Sequence, residues 1–234
     1  MKIKWHGHSC FEINGTKNII IDPFLKNNPK ATTTEVTPDI IAITHGHADH
    51  MGDTTTLAKK HHCKIVAIHE IAKYLATCNI ECEGMNKGGT IAIEKINFTM
   101  TEAIHSASIE EAEPHFDGGC PAGFIIEDNN TRIYHAGDTA LFRDMQLIGE
   151  LYKPQIAMLP MGGRYTMGPR EAAIATSWLQ PEIAIPMHYN TFPAIKQSPR
   201  EFKELIAREC NTKVVIMEPG ETIEYQNPKN PKNL

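Results

Sequence analysis

The seven residues Thr44-His45-Gly46-His47-Ala48-Asp49-His50 decide what this chain can be. They follow Asp39-Ile40-Ile41-Ala42-Ile43, an apolar run that is typical of a buried β-strand. Burying imidazole and carboxylate groups costs free energy unless a charge among them compensates, and a divalent metal ion is the simplest such charge. A solvated loop with chance histidines does not account for so dense a cluster directly after a buried strand. The stretch therefore predicts a metal site.

Composition and charge limit the class of protein. The chain has 234 residues, enough for one α/β domain with a sizeable core, and its net charge of −5 disfavours a strongly basic nucleic-acid surface. It contains no apolar run of transmembrane length and no signal-peptide pattern at its start. The 6 cysteines form no CxxC pair, so we expect reduced thiols and a cytoplasmic protein.

The strand pattern predicts the architecture. Residues 1–22 contain short segments typical of a β-meander, in which apolar and polar residues alternate, and the polar loop of the site and a helix follow them. The second half of the chain repeats this order of strands, polar loop and helix. This order predicts an α/β fold in which two sheets pack face to face with helices outside, a four-layer αββα sandwich. We expect a single domain over residues 1–226 and a disordered tail over 227–234. Residues 26–38 and 106–119 are predicted loops, the first near the mouth of the site.

Three polar residues in other segments stand at the ends of predicted strands. His105 follows an alternating strand, Asp138 follows a strand and Gly137, and His188 follows the apolar run Ile185-Pro186-Met187. Each has a simpler interpretation: a histidine at a strand end is often only a polar terminus, and Asp138 could be a helix N-cap. The cluster at residues 44–50 makes all three candidate ligands as well.

The order His-x-His-x-Asp-His, a distant His, Gly-Asp and a late His resembles the metallo-β-lactamase superfamily. His6-Gly7-His8-Ser9, Ile21-Asp22-Pro23-Phe24, Thr166-Met167-Gly168-Pro169 and residues 186–193 look like its prokaryotic metal-dependent hydrolases. The resemblance extends from the N-terminus to about Glu221. It implies the αββα sandwich and a hydrolytic site with two metal ions.

The resemblance also assigns roles to the candidate residues. It implies that one ion is held by His45, His47 and His105. It implies that the other is held by Asp49, His50 and His188, and that Asp138 bridges the two. Asp49, Asp138 and His8 are the expected catalytic residues. For Asp49 we expect a part in steering water, and for His8 either proton donation to the leaving group, substrate contact or support of the ligands. His135 is expected to support a ligand by a hydrogen bond.

These residues predict a metal-dependent hydrolase. Two cations about 3.5–4 Å apart would hold a hydroxide between them and polarise an ester, lactone, amide or phosphodiester bond of a small molecule. Zn²⁺ is the first choice for such ligands, and Mn²⁺, Fe²⁺, Ni²⁺ or Co²⁺ would also be accepted. We expect no membrane partner and disfavour nucleic acid; homo-oligomerisation stays open.

Three alternatives remain at this point. A phosphodiesterase or nuclease is weakened by the acidic net charge. A di-iron redox site is disfavoured because related redox proteins place a carboxylate where this chain has His47. A metal-binding protein without catalytic activity is the third.

Overall fold

The computed structural model of the chain describes residues 1–109 and 116–228, which contain two seven-stranded β-sheets and six α-helices. The strands are β1 Lys2–Gly7, β2 Cys10–Asn14, β3 Asn18–Ile21, β4 Ile40–Ala42, β5 Lys64–Ile68, β6 Glu83–Met85, β7 Thr90–Ile93, β8 Ile96–Glu102, β9 Ser108–Ile109, β10 Phe116–Asp117, β11 Ala122–Asp128, β12 Thr131–His135, β13 Ile156–Pro160, β14 Ile183–Met187, β15 Lys213–Val214 and β16 Thr222–Glu224. The helices are α1 Ala48–Met51, α2 Thr54–His61, α3 His69–Thr77, α4 Met145–Tyr152, α5 Pro169–Leu179 and α6 Pro199–Glu209, with a 3-10 turn at Pro193–Ile195.

Both sheets change from antiparallel to parallel along their strand order. The first sheet runs β16-β1-β2-β3-β4-β5-β6, antiparallel from β16 to β3 and parallel from β3 to β6. The second runs β15-β14-β13-β12-β11-β8-β7, antiparallel from β7 to β12 and parallel from β12 to β15. The sequence's second half thus rebuilds the plan of its first, as the strand pattern predicts.

The parallel strand β4 of the first sheet and the parallel strand β13 of the second are buried along their whole length. This burial explains why their sequences are continuous apolar runs without alternation. Buried residues of both sheets belong to one hydrophobic cluster, so the sheets share a core and form the predicted αββα sandwich. The loops that leave the carboxyl ends of the parallel strands then open at one edge of the sandwich.

A few element boundaries differ from the sequence expectation. The sequence pattern of residues 141–152 predicts a helix from Leu141, but α4 begins at Met145 and Phe142 is buried. The pattern of residues 212–217 predicts a strand, but only Lys213–Val214 pair, and no sequence pattern predicts β6. The predicted loop over 106–119 contains the short β9–β10 pair, while its residues 110–115 lie outside the described part.

Asn227, in the predicted tail, is buried and its side-chain amide donates to the Asn130 carbonyl. The tail's residues 229–234 lie outside the described residues. Within the described ranges, no helix has the length and apolar character needed to span a membrane.

Candidate metal centre

Four loops bring the predicted ligands together at one edge of the sandwich. These loops follow β4, β8, β12 and β14 and carry, respectively, the cluster at residues 44–50, His105, Asp138 and His188. The cluster itself is split by the one-turn helix α1, which starts after His47. His45 and His47 therefore lie before the helix, with His47 on extended backbone, whereas Asp49 and His50 lie on the helical turn.

One group of imidazoles consists of His45, His47 and His105, which each place a ring nitrogen within 4.8 Å of the other two. The Nε2 atom of His45 and the Nδ1 atom of His47 are 3.0 Å apart. His45 is fully buried and the other two are half-buried, so the group faces the molecular surface on one side.

A second group contains Asp49, His50 and His188, together with His8 from the loop after β1. Their ligand atoms also lie within 4.8 Å of one another. All three histidines are buried, while Asp49 is half-buried. His8 and His188 adopt left-handed backbone conformations, with φ of 56° and 54°, which places their rings at sharp turns.

Asp138 lies between the two groups. Its Oδ2 atom is 2.9 Å from Nε2 of His188 and 3.6 Å from Nε2 of His105, and its Oδ1 atom is 3.4 Å from Nε2 of His50. Asp138 thus contacts both groups from a position that is only 2% exposed. The structure brings all seven predicted metal ligands together around this carboxylate.

The donor set contains two buried atoms that suit a metal ion. Nε2 of His50 and Oδ1 of Asp138 are both buried and have no hydrogen-bond partner, although they face each other. Unpaired buried polar atoms are rare because each costs free energy, and a cation bound by both removes that cost. The imidazole and carboxylate ligands suit a divalent transition metal, so these residues fit such an ion.

A buried carboxylate, Asp22, orients two of the histidines. Its oxygens accept hydrogen bonds from the Thr44 backbone N–H at 2.8 Å, the Thr44 hydroxyl at 2.7 Å and Nδ1 of His50 at 2.7 Å. Because the Thr44 hydroxyl donates to Asp22, its oxygen can accept from Nδ1 of His45, 3.0 Å away. Both histidines then carry their proton on Nδ1 and leave Nε2 free as a metal ligand.

His8 is held from both sides. Its Nδ1 lies 2.9 Å from the Thr191 hydroxyl and its Nε2 lies 3.0 Å from Oδ2 of Asp49. Since the Asp49 carboxylate can only accept, Nε2–H of His8 donates to it, and Nδ1 of His8 then accepts a hydrogen bond from the Thr191 hydroxyl. The ring is therefore locked between the loop after β14 and a candidate ligand.

His135 supports the turn that carries Asp138. Its Nε2–H donates to the Ser9 carbonyl at 3.0 Å, and its Nδ1 accepts from the Gly137 backbone N–H at 3.2 Å. Gly137 has φ of 62°, and a Cβ added there would lie 2.5 Å from the Ala122 carbonyl oxygen. Only glycine fits this turn without a shift of the backbone.

Burial and mutual contact perturb the ionisable groups. Burial, helped by the nearby His188 ring, lowers the pKa of His8 to about 4. Burial alone would raise the pKa of Asp138, yet the charges of His188 and His50 hold that pKa well below its usual range. For His50, burial acts to lower the pKa, and the Asp138 and Asp22 carboxylates outweigh it and raise that pKa. Asp138 therefore requires a positive charge beside it, which a proton on His50 or a metal ion supplies.

A cavity of about 590 Å³ opens directly above these groups. Its walls include the ligand candidates His47, Asp49, His105, Asp138 and His188. Asn27 from the loop over residues 26–38 lines its mouth, in agreement with the position expected for that loop. Its size is that of a small-molecule site.

This fold and site define a class of protein. Residues 2–188 match the family model described as the β-lactamase superfamily domain. The chain belongs to this family, the metallo-β-lactamase superfamily, and its fold is the αββα sandwich of that family.

The relatives identify the branch more narrowly. A metal-dependent hydrolase of Methanosarcina mazei is 50% identical over 226 residues, covering 96% of this chain and 98% of the relative. Another from Methanosarcina barkeri is 51% identical over the same lengths. The solved structure of Igni18, a metallo hydrolase of Ignicoccus hospitalis, superposes with a TM-score of 0.87 at 39% identity, covering 96% of this chain and 99% of that one. The chain is a metal-dependent hydrolase.

The sequence does not predict several of the residues that support or line the site. Thr191 carries no local signal, and neither do Phe24, Tyr165 and Phe192, which line the cavity. Asp22, before Pro23, is compatible with either orienting a ligand or ending a strand, and the structure shows it bonded to His50. Phe24 and Phe192 both stand in the family-like segments, but nothing local gives them a role.

Proposed function

We propose that this chain hydrolyses a small molecule with two divalent metal ions, Zn²⁺ being the first choice. One ion would be held by His45, His47 and His105, and the other by Asp49, His50 and His188. The observation that carries the proposal is the contact of Asp138 with both groups, which suits a carboxylate that bridges two cations.

The bound ions would supply a water of lowered pKa, from 15.7 to about 7, and would polarise the scissile group. Asp49, Asp138 and His8 then have one task each. Asp49 faces the cavity at half exposure and is proposed to steer the attacking water. Asp138 is buried between the ligand groups and is proposed to fix their separation.

His8 supports Asp49 in this proposal. Both of its ring nitrogens have partners, and it is 1% exposed. Because the Thr191 hydroxyl donates to Nδ1, the ring carries its proton on Nε2 and donates it to the Asp49 carboxylate, so that nitrogen has no lone pair for a metal ion. We therefore propose that His8 is a positioning residue, which leaves solvent at the open cavity as the proton source for the leaving group.

The test is hydrolysis by protein that has been stripped with a chelator and reloaded with single metals. Initial rates are measured on ester, lactone, amide and phosphodiester panels alongside metal content. The proposal expects turnover of at least one class, with rates that rise with metal occupancy and fall at least about 100-fold in Asp138→Asn. Full metal loading without turnover of any panel would contradict it.

A further inference from the structure

Three aromatic side chains, Phe24, Tyr165 and Phe192, line the cavity, and we call them the aromatic wall. Phe24 and Phe192 have ring centroids 6.4 Å apart, and each lies next to the His8 ring, at 5.6 and 5.7 Å. Tyr165, from the loop after β13, is the third aromatic lining residue. Since His8 contacts Asp49, this aromatic wall stands directly beside the candidate metal ligands.

Two of the three rings of the wall are exposed at a cost in free energy, whereas Phe24 is buried. Tyr165 is 57% exposed and Phe192 is 39% exposed, which makes them two of the five large hydrophobic side chains that are exposed among the described residues. An aromatic side chain can bury roughly 150–250 Å² on contact with a partner. Exposed aromatic rings that line one concave site mark a surface for an apolar ligand group.

Apart from histidines, the charged side chains that line the cavity among the described residues are carboxylates. Among the described residues that line it none is lysine or arginine, whereas Asp49, Asp53 and Asp138 are acidic. Arg164 neighbours the wall, but its guanidinium stacks on the Tyr165 ring at 5.5 Å and is not part of the lining. Two divalent ions would be matched in charge by these three carboxylates and Asp22, so the loaded site carries no surplus positive charge.

We propose that the site takes a neutral substrate with an apolar or aromatic group beside the bond that is cleaved, and that it discriminates against anionic substrates. The apolar group packs against Phe24, Tyr165 and Phe192 while the scissile group lies over Asp49 and Asp138. This inference rests on the proposed hydrolytic function of the same site and narrows it to neutral esters, lactones or amides over phosphodiesters.

The test compares probes that differ in one property. We would measure kcat/KM of the metal-loaded protein for 4-nitrophenyl acetate, 4-nitrophenyl butyrate, 4-nitrophenyl hemisuccinate and bis(4-nitrophenyl) phosphate. Butyrate and hemisuccinate have similar length, and only the latter carries a carboxylate. The expected kcat/KM is at least about 10-fold higher for butyrate than for hemisuccinate or the phosphodiester.

The variants Tyr165→Ala and Phe192→Ala test the wall itself. Both side chains are substantially exposed, so the variants should fold. We expect each to lower kcat/KM for butyrate about 5–10-fold and for acetate less than about 2-fold, with Tyr165→Phe retaining activity. Leu151→Ala removes a side chain that is 69% exposed on α4, outside the cavity, and should leave both values unchanged.

The outcomes separate this inference from the proposed function. Equal or faster hydrolysis of the hemisuccinate or the phosphodiester would overturn the substrate preference and leave the hydrolase intact. Alanine variants with unchanged acetate-to-butyrate selectivity would overturn the aromatic wall. An absence of hydrolysis of every probe by fully loaded protein would contradict the proposed function itself.

Discussion

Asp22 illustrates how much of this site depends on residues that the substrate does not reach. Its carboxylate accepts three hydrogen bonds, two from Thr44 and one from His50. Histidine ligands lose affinity for metal when such a partner is removed, because the ring orientation and tautomer are no longer fixed. Asp22 therefore belongs to the metal site in energetic terms.

Replacing Asp22 with asparagine should weaken metal binding about 10–100-fold. The amide nitrogen would face the Nδ1–H of His50 or the Thr44 donors, and one of these would lose its acceptor. The measurement is a competition titration against a chelator of known affinity.

Asp128→Asn is the matched control for this variant. Asp128 is also buried and also accepts from the backbone N–H and the hydroxyl of one threonine, Thr16, far from the candidate ligands in the sheet. The Asp128→Asn variant should have a lower free energy of unfolding but an unchanged affinity for metal. Equal metal affinity in the two variants would contradict the role given to Asp22.

Thr191 provides a second test at the scale of one side chain. Thr191→Val keeps the shape but removes the hydroxyl that binds His8, and we expect about a 10-fold weaker affinity for the second equivalent of metal. Thr191→Ser keeps the hydroxyl and should restore the affinity, while losing some stability because a buried methyl group is gone. If serine and valine weakened metal binding equally, the relay through His8 to Asp49 would be refuted.

The candidate ligands that the structure brings together could be singled out from sequence, whereas Thr191 could not, for a physical reason. Imidazole and carboxylate at strand ends are costly enough to demand an explanation, so residue type and position suffice for His45 or Asp138. Thr191 is a plain polar residue whose partner His8 lies 183 positions away, and only the closed fold brings them together. The same holds for the aromatic wall, since Phe24 and Phe192 are ordinary apolar residues until the fold places both next to the His8 ring.

At the scale of elements, the turn after β12 places Asp138 between two groups of histidines. Gly137→Ala should destabilise the protein by about 2–4 kcal/mol, because the added Cβ meets the Ala122 carbonyl and the backbone angle is left-handed. Gly88→Ala is the control, since Gly88 also has positive φ but has open space where the Cβ would go. Gly88→Ala should lower the free energy of unfolding, measured by urea denaturation, by only about 1 kcal/mol. Similar losses for the two would contradict the steric account.

Strands β1, β2 and β3 carry a pH-dependent contact on the first sheet. His6 hydrogen-bonds Glu12 at 3.0 Å, and this bond, with one from Asn18, lowers the pKa of Glu12 against the opposing effect of burial. Because the folded-state pKa lies below the ordinary value of 4.5, the stabilisation is fully present above that pH. It is lost as the pH falls through the lowered folded-state value.

Glu12→Gln should accordingly lower the free energy of unfolding at pH 7 by about 1–3 kcal/mol and reduce its dependence on pH below 4.5. Urea denaturation at several pH values measures both effects. Glu224→Gln is the control, because Glu224 pairs with Lys2 at 3.5 Å on an exposed edge and should change neither. An unchanged pH dependence in Glu12→Gln would contradict the assignment.

Elements were predictable wherever burial follows from a simple pattern. The runs that became β4, β5 and β13 are apolar enough to be identified as buried strands. The predicted start of α4 at Leu141 was wrong. Residues 141–144 have a composition that favours a helix, but Phe142 packs into the core and the helix begins only at Met145. Strand β6 has no periodic pattern and exists because its backbone pairs in parallel with β5.

For the whole molecule, the two halves of the sandwich meet at a site that concentrates buried ionisable groups. Metal removal should lower the stability of the whole chain, because uncompensated histidines and carboxylates would remain buried there. At free metal about 1,000 times the dissociation constant, each bound ion should contribute about 4 kcal/mol to the free energy of unfolding. Thermal unfolding with and without chelator measures it, and identical midpoints would contradict a buried metal site.

The central claim, a two-metal hydrolase, is tested most directly by titrating stripped protein with Zn²⁺ while recording bound metal and the rate of ester hydrolysis. The account predicts two bound ions per chain, with most of the activity appearing as the second equivalent binds. Asp138→Asn should lose that second phase. Saturation of both metal content and activity at one ion per chain would contradict the account.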